Sequence, residues 1–77
     1  MSIATRPTDA DAVAYVVDHF ATRDYGMTVL CTGAGESKQG AECTDVHFVD
    51  AREDNGPTYI MTVWHEPAKG GALYGEW

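Results

Sequence analysis

The sequence predicts a single small α+β domain, residues 1–77, with one N-terminal helix packed on an antiparallel sheet of three or four strands. Three observations carry that expectation. Apolar residues recur at helical spacing between residues 8 and about 23, the period falls to two after Gly26, and the joins between the extended runs are short enough for antiparallel neighbours. The chain has room for one core, and at this size a domain buries only about 60% of its unfolded surface. An apolar share of 44%, with four Tyr, two Trp and two Phe, belongs to a folded globule and not to a disordered acidic tail.

The helix begins at Thr8, which stands at an N-cap position after Pro7, with Asp11 three places on as in a capping box. Val13, Val16, Val17 and Phe20 then form one apolar stripe, and Gly26 supplies a stop after Asp24 and Tyr25. Asp11 and Asp18 fall together on the opposite, solvent-facing side, about 10 Å apart along the axis, with Tyr15 near them.

Three runs rich in β-branched and aromatic residues read as strands: Met27 to Thr32, Glu42 to Asp50 and Thr58 to His65. Gly33 to Gly40 reads as a loose, mobile loop, and Asp54-Asn55-Gly56 as a hairpin turn. Hairpins centred near Ser37 and Asp54 set Cys31 opposite Cys43 and Phe48 opposite Ile60. Leu30, Val46, Phe48, Ile60 and Trp64, with Thr28, Thr32, Thr44 and Thr62, then form the face beneath the helix. The other face carries Met27, Val29, Cys31, Cys43, Asp45, His47, Val49, Tyr59, Met61, Val63 and His65. The tail from Pro67 to Trp77 either covers part of that second face or adds a short edge strand.

Charge bounds the partners. Twelve Asp and Glu against five Lys and Arg give about −7 near neutral pH. That balance argues against direct binding to DNA, RNA or anionic lipid, where Lys and Arg supply most of the affinity, and favours a basic partner or none. No apolar run is long enough to span a membrane, and no secretory leader is evident, so a cytoplasmic location is expected.

Chemistry-bearing patterns are sparse. Cys31 and Cys43 form no paired CxxC knuckle and read as two buried thiols, although the register above also makes a cross-strand disulfide conceivable. A zinc site built from Cys31, Cys43, Asp45, His47 and His65 fails on reach, because residues four apart on a strand lie about 13 Å apart. Nucleophilic catalysis would need a thiolate, an oriented His and an oxyanion site, and only fragments of that set are present. Gly33, Gly35 and Lys38 match neither phosphate-binding pattern, and Glu36 puts a negative charge where phosphate would sit. No enzymatic activity, cofactor or metal is expected.

What remains is the set of carboxylates: Asp9, Asp11 and Asp18 on the helix, Asp24 at its end, Glu36 and Glu42 around the first loop, and Asp50, Glu53 and Asp54 around the second. On its length, on Asp9, Asp11, Asp18, Asp24, Asp50, Glu53 and Asp54, and on one helix against a small sheet, the chain resembles the small acidic proteins that phages and mobile elements use against host defence. The resemblance is to DNA-mimicking anti-CRISPR proteins in particular. It is one of type and carries no family motif. It implies inhibition by occupying a basic DNA-reading surface, with a type I CRISPR effector subunit as target and the host cell cytoplasm as location.

The sequence therefore predicts a non-catalytic inhibitor of a basic nucleic-acid-binding protein or complex. Asp11, Asp18, Asp50, Glu53 and Asp54 are its contact carboxylates, and Tyr15 and Tyr59 its aromatic anchors. The alternative is a structural or accessory protein that forms a homodimer through the half-apolar sheet face, with acidity serving solubility alone.

Overall fold

The computed structural model describes residues 5–21, 26–38, 40–53 and 55–77. Helix α1 spans Asp9–Ala21. Strands β1 (Met27–Lys38), β2 (Ala41–Asp50), β3 (Tyr59–Glu66) and β4 (Ala72–Glu76) follow, with a short 3-10 turn over Pro67–Lys69. The strands form one antiparallel meander in the order β1-β2-β3-β4, so the tail adds the fourth, edge strand. Among the described residues no helix is long and apolar enough to cross a membrane.

Thr8 caps α1 as its position predicts. Its hydroxyl accepts from the Asp11 N–H at 3.1 Å, satisfying one donor that a helix start leaves unpaired, and its carbonyl accepts the first bond of the helix ladder, from the Ala12 N–H at 2.9 Å. One residue earlier, the Pro7 carbonyl accepts from the buried Thr44 hydroxyl at 2.7 Å, which ties the entry of the helix to β2. The expected stop at Asp24 and Tyr25 lies outside the described residues.

The buried helix stripe is Ala12, Val16 and Phe20, with Val13 half-buried and Val17 exposed. It is thus turned away from Val17 relative to the expected stripe. The small Ala12 lets the helix lie close to the sheet, and on the β4 side Tyr15 packs over Gly75. A Cβ at Gly75 would sit 2.7 Å from Tyr15 Cε1 and 2.8 Å from Met61 Sδ, so a larger residue there would push the helix off the edge strand. Asp11 and Asp18 are exposed, as expected, whereas Tyr15 is drawn partly into the core.

The sheet corrects two expectations. The glycine-rich segment is no loose loop: β1 runs on to Lys38, paired with β2, and Gly40 (φ 79°) lies in the turn that leads into β2. Pairing with a neighbouring strand outweighs the weak strand preference of Gly33 and Gly35. The registers also differ. Phe48 pairs with Tyr59, and Ile60 with His47, one residue away from the expected alignment. Because side chains alternate, that slip turns the whole of β3 over. Met61 and Val63 join Val46 and Phe48 under the helix, fully buried, while Ile60 is 44% exposed. The eight-residue join from Ala51 to Thr58 does not fix register as a two-residue turn would, so burial decides it.

In β1, Val29 pairs with Phe48 and Cys31 with His47, leaving Leu30 as the extra residue of a bulge and 55% exposed. Met27 and Val29 therefore pack against the core, not on the far face. Cys43 lies opposite Gly35, so Cys31 and Cys43 are four residues apart along the ladder, about 13 Å. A disulfide between them is excluded by that register, and both are free thiols, Cys43 buried but Cys31 exposed.

Trp64 faces away from the helix and is buried nonetheless. It packs with Ala41, Cys43 and Tyr74 in a second cluster, its ring edge-on to Tyr74 at 5.2 Å. Its indole N–H donates to the buried Glu66 carboxylate at 3.3 Å, which also accepts from the Ala68 N–H at 3.1 Å and so caps the 3-10 turn. Of the apolar residues expected on the far face, Met61 and Val63 are buried under the helix and Met27, Val29 and Tyr59 pack against the same core, while Leu30 and Ile60 are exposed.

Met61→Ala is expected to cost about 2–5 kcal/mol in urea unfolding, and Ile60→Ala no more than about 0.5 kcal/mol. Equal costs would restore the register that puts Ile60 inside.

Candidate functional site

The chain carries five basic side chains, and the four that are described each meet an internal partner. Arg6 lies 3.9 Å from Asp9, Lys38 3.1 Å from Glu76, and Arg52 2.8 Å from Asp50, while the Lys69 ammonium stands 3.8 Å above the Tyr74 ring. Glu66 is buried under the Trp64 indole. Among the described residues no Lys or Arg pairs with Asp11, Asp18, Glu36, Glu42, Asp45 or Glu53. These carboxylates lie on the outer helix face, around the β1–β2 hairpin, within β2 and beyond its end, on a molecule measuring 46 × 22 × 18 Å. Asp45 is the most sheltered of them and accepts from the Thr62 hydroxyl at 2.8 Å.

The carboxylates expected around the second join divide. Asp50 is enclosed: its Oδ1 accepts from the Arg52 backbone N–H and Nε, both at 3.0 Å, and its Oδ2 from Arg52 Nη2 at 2.8 Å. That two-pronged hydrogen bonding, aided by the guanidinium charge, holds the Asp50 carboxyl at about 2 against an ordinary 3.8. Asp50 is thus ionised but matched in charge. Glu53 is exposed and accepts from the Tyr59 hydroxyl at 3.1 Å through Oε1. A Cβ at Gly56 would meet the Glu53 Cβ at 2.7 Å, so glycine there lets the Glu53 side chain fold back over the join. Asp54 lies outside the described residues.

Beside Glu53 is a feature that the sequence did not signal. Phe20 from α1, Phe48 from β2, Tyr59 from β3 and Trp77 after β4 converge at one end of the sheet. Trp77 stands edge-on to Phe20 at 5.4 Å and to Tyr59 at 5.6 Å, and Phe48 stacks on Tyr59 at 5.7 Å. With Met27, Val49, Asp50 and Glu53 they line an open cleft of about 150 Å³. Trp77 remains 56% exposed despite those contacts. Tyr59 is therefore part of a wall, and Tyr15, on the other side of α1, stacks with His19 at 6.3 Å.

The thiols and imidazoles do not assemble. Among the described residues no group of three or more His, Cys, Asp or Glu side chains is placed to hold a metal ion. Burial pushes the Cys43 thiol up, and its Sγ lies 3.6 Å from the Ala41 carbonyl as a donor. His65 Nδ1 lies 2.9 Å from the Gly71 carbonyl, in the turn that leads into β4. No protein family, no curated protein and no solved structure matches the chain.

Because the Asp50 carboxyl is depressed, the pair with Arg52 stabilises the fold above the ordinary 3.8, and that contribution is lost as pH falls through about 2. Carboxyl-carbon NMR is expected to place the Asp50 midpoint near 2, and Arg52→Gln to return it toward 3.8. A midpoint already near 3.8 in the unsubstituted protein would break the assignment.

Proposed function

We propose that this protein is a non-catalytic binder of a basic partner, and that the partner is a nucleic-acid-binding protein whose DNA- or RNA-reading surface it occupies. One observation carries the reading: the described Lys and Arg side chains are engaged within the molecule, while Asp11, Asp18, Glu36, Glu42 and Glu53 face outward with no basic side chain among the described residues against them. Such a field speeds encounter with a positive surface and makes association sensitive to salt. Along 46 Å a duplex would present roughly 27 phosphates, at one per about 1.7 Å. Five or six carboxylates imitate only part of that array, so charge steers and local contacts must hold. The type resemblance to DNA-mimicking anti-CRISPR proteins makes a type I CRISPR effector subunit the first target to test.

A pull-down at low salt with a salt-gradient elution is expected to recover a DNA- or RNA-handling complex. The double variants Asp11→Lys with Asp18→Lys, and Glu53→Lys with Asp54→Lys, should each weaken its binding at least about tenfold. Unchanged binding in both would sink the reading.

A second reading has its own observation. Leu30 and Ile60 are exposed, and Ile60 shares the free sheet face with Cys31 and His47, which pair across the strands there. Exposed apolar side chains on an otherwise mixed sheet face suit a homodimer. Size exclusion decides it: a dimer dispersed by Leu30→Glu or Ile60→Glu favours this reading, and a monomer at all concentrations removes it.

A further inference from the structure

We propose that the cleft between Phe20, Phe48, Tyr59 and Trp77 takes one arginine side chain from the partner, with its stem on the rings and its guanidinium at Glu53. The proposal deepens, and rests on, the reading of a basic partner.

Size is the first argument. A volume of about 150 Å³ suits one long side chain and is too small for a helix or strand. The lining is the second. Four aromatic rings, from α1, β2, β3 and the residue after β4, meet here, and the last, Trp77, stays half-open although it touches the other three. Half-open Trp and Tyr beside a concavity are the side chains that most often anchor an interface. Ring faces attract cations, most strongly for Trp, and guanidinium stacks on them because it is planar and weakly hydrated.

Charge is the third argument. Two described carboxylates line the cleft, Asp50 and Glu53. Asp50 is bonded to the Arg52 guanidinium, so among the described residues the lining carboxylate with no basic side chain against it is Glu53. The Tyr59 hydroxyl holds Glu53 Oε1 at 3.1 Å, and the backbone at Gly56 leaves room for its stem, so the carboxylate is oriented before any ligand arrives. A carboxylate at the rim of an aromatic slot fits a cation with an apolar stem and a planar head that can donate two parallel hydrogen bonds.

The test uses the whole chain labelled with ¹⁵N and N-acetyl-arginine amide as probe. The two Trp indole N–H signals report separately, Trp77 at the cleft and the buried Trp64 as an internal control. Addition of the probe is expected to shift the Trp77 indole with saturation in the millimolar range, leaving Trp64 unmoved. The citrulline analogue, which keeps the shape and lacks the charge, should shift it at least about tenfold more weakly, as should arginine amide with Glu53→Gln. Trp77→Ala, at an exposed position, should abolish probe shifts at Tyr59. No saturating shift, equal binding of citrulline, or tighter binding of tetramethylammonium than of the arginine probe would each overturn the assignment. The probe needs no macromolecular partner. Arginine binding with no basic protein captured would keep the cleft and remove the proposed function, while salt-sensitive capture with a silent Trp77 would do the reverse.

Discussion

A 13-residue helix is about 20 Å long, and the 12-residue strand β1 about 40 Å, so one helix cannot cover the sheet on which it lies. This mismatch governs the rest of the structure. Where the helix reaches, Ala12, Val16 and Phe20 meet Val46, Phe48, Met61 and Val63 in the main core. The Thr44 hydroxyl fixes one end of that contact by holding the Pro7 carbonyl just before the helix starts. Beyond its reach the chain finds another solution. Trp64 turns to the opposite face, is covered by Tyr74, Cys43 and Ala41, and has its indole N–H satisfied by Glu66. At the other end of the helix, around Phe20, the rings of Phe48, Tyr59 and Trp77 close on one another beside an open cleft.

The electrostatic design follows a similar economy. Exposed ion pairs contribute only about 0–1 kcal/mol each, so Arg6 and Lys38 are not there chiefly for stability. Each of the four described basic side chains stands against a carboxylate or an aromatic ring of the same molecule. The outward field is negative on the helix, around the first hairpin and beside the aromatic cleft. Long-range attraction of that kind raises the rate of encounter, whereas dissociation is slowed by buried anchors. The carboxylates and the cleft would therefore act on different stages of one binding event.

The elements were legible in the sequence wherever a local signal was strong. Thr8, with Asp11 three places on, marked the helix start because capping is a contact within one turn. The alternation in Val46 and Phe48 against Asp45 and His47 gave β2 its correct inner face. In β3 both alternating sets are apolar, Tyr59, Met61 and Val63 against Ile60 and Trp64, so period two marked a strand without saying which way it faces. The bulge at Leu30 and the extension of β1 through Gly33 and Gly35 left no local trace, since both depend on what β2 places alongside.

The candidate site divides along the same line. Composition alone determined the excess of carboxylates, and helical spacing alone put Asp11 and Asp18 together on an exposed face. Tertiary structure decided that Asp50 is matched by Arg52, that Tyr15 leans into the core, and that Phe20, Phe48, Tyr59 and Trp77 share one cleft beside Glu53. The physical reason is range. Capping and periodicity act over a few residues and are written in order along the chain. An aromatic cleft assembled from one helix and three strands exists only once hydrogen-bond registers have brought distant segments level with one another.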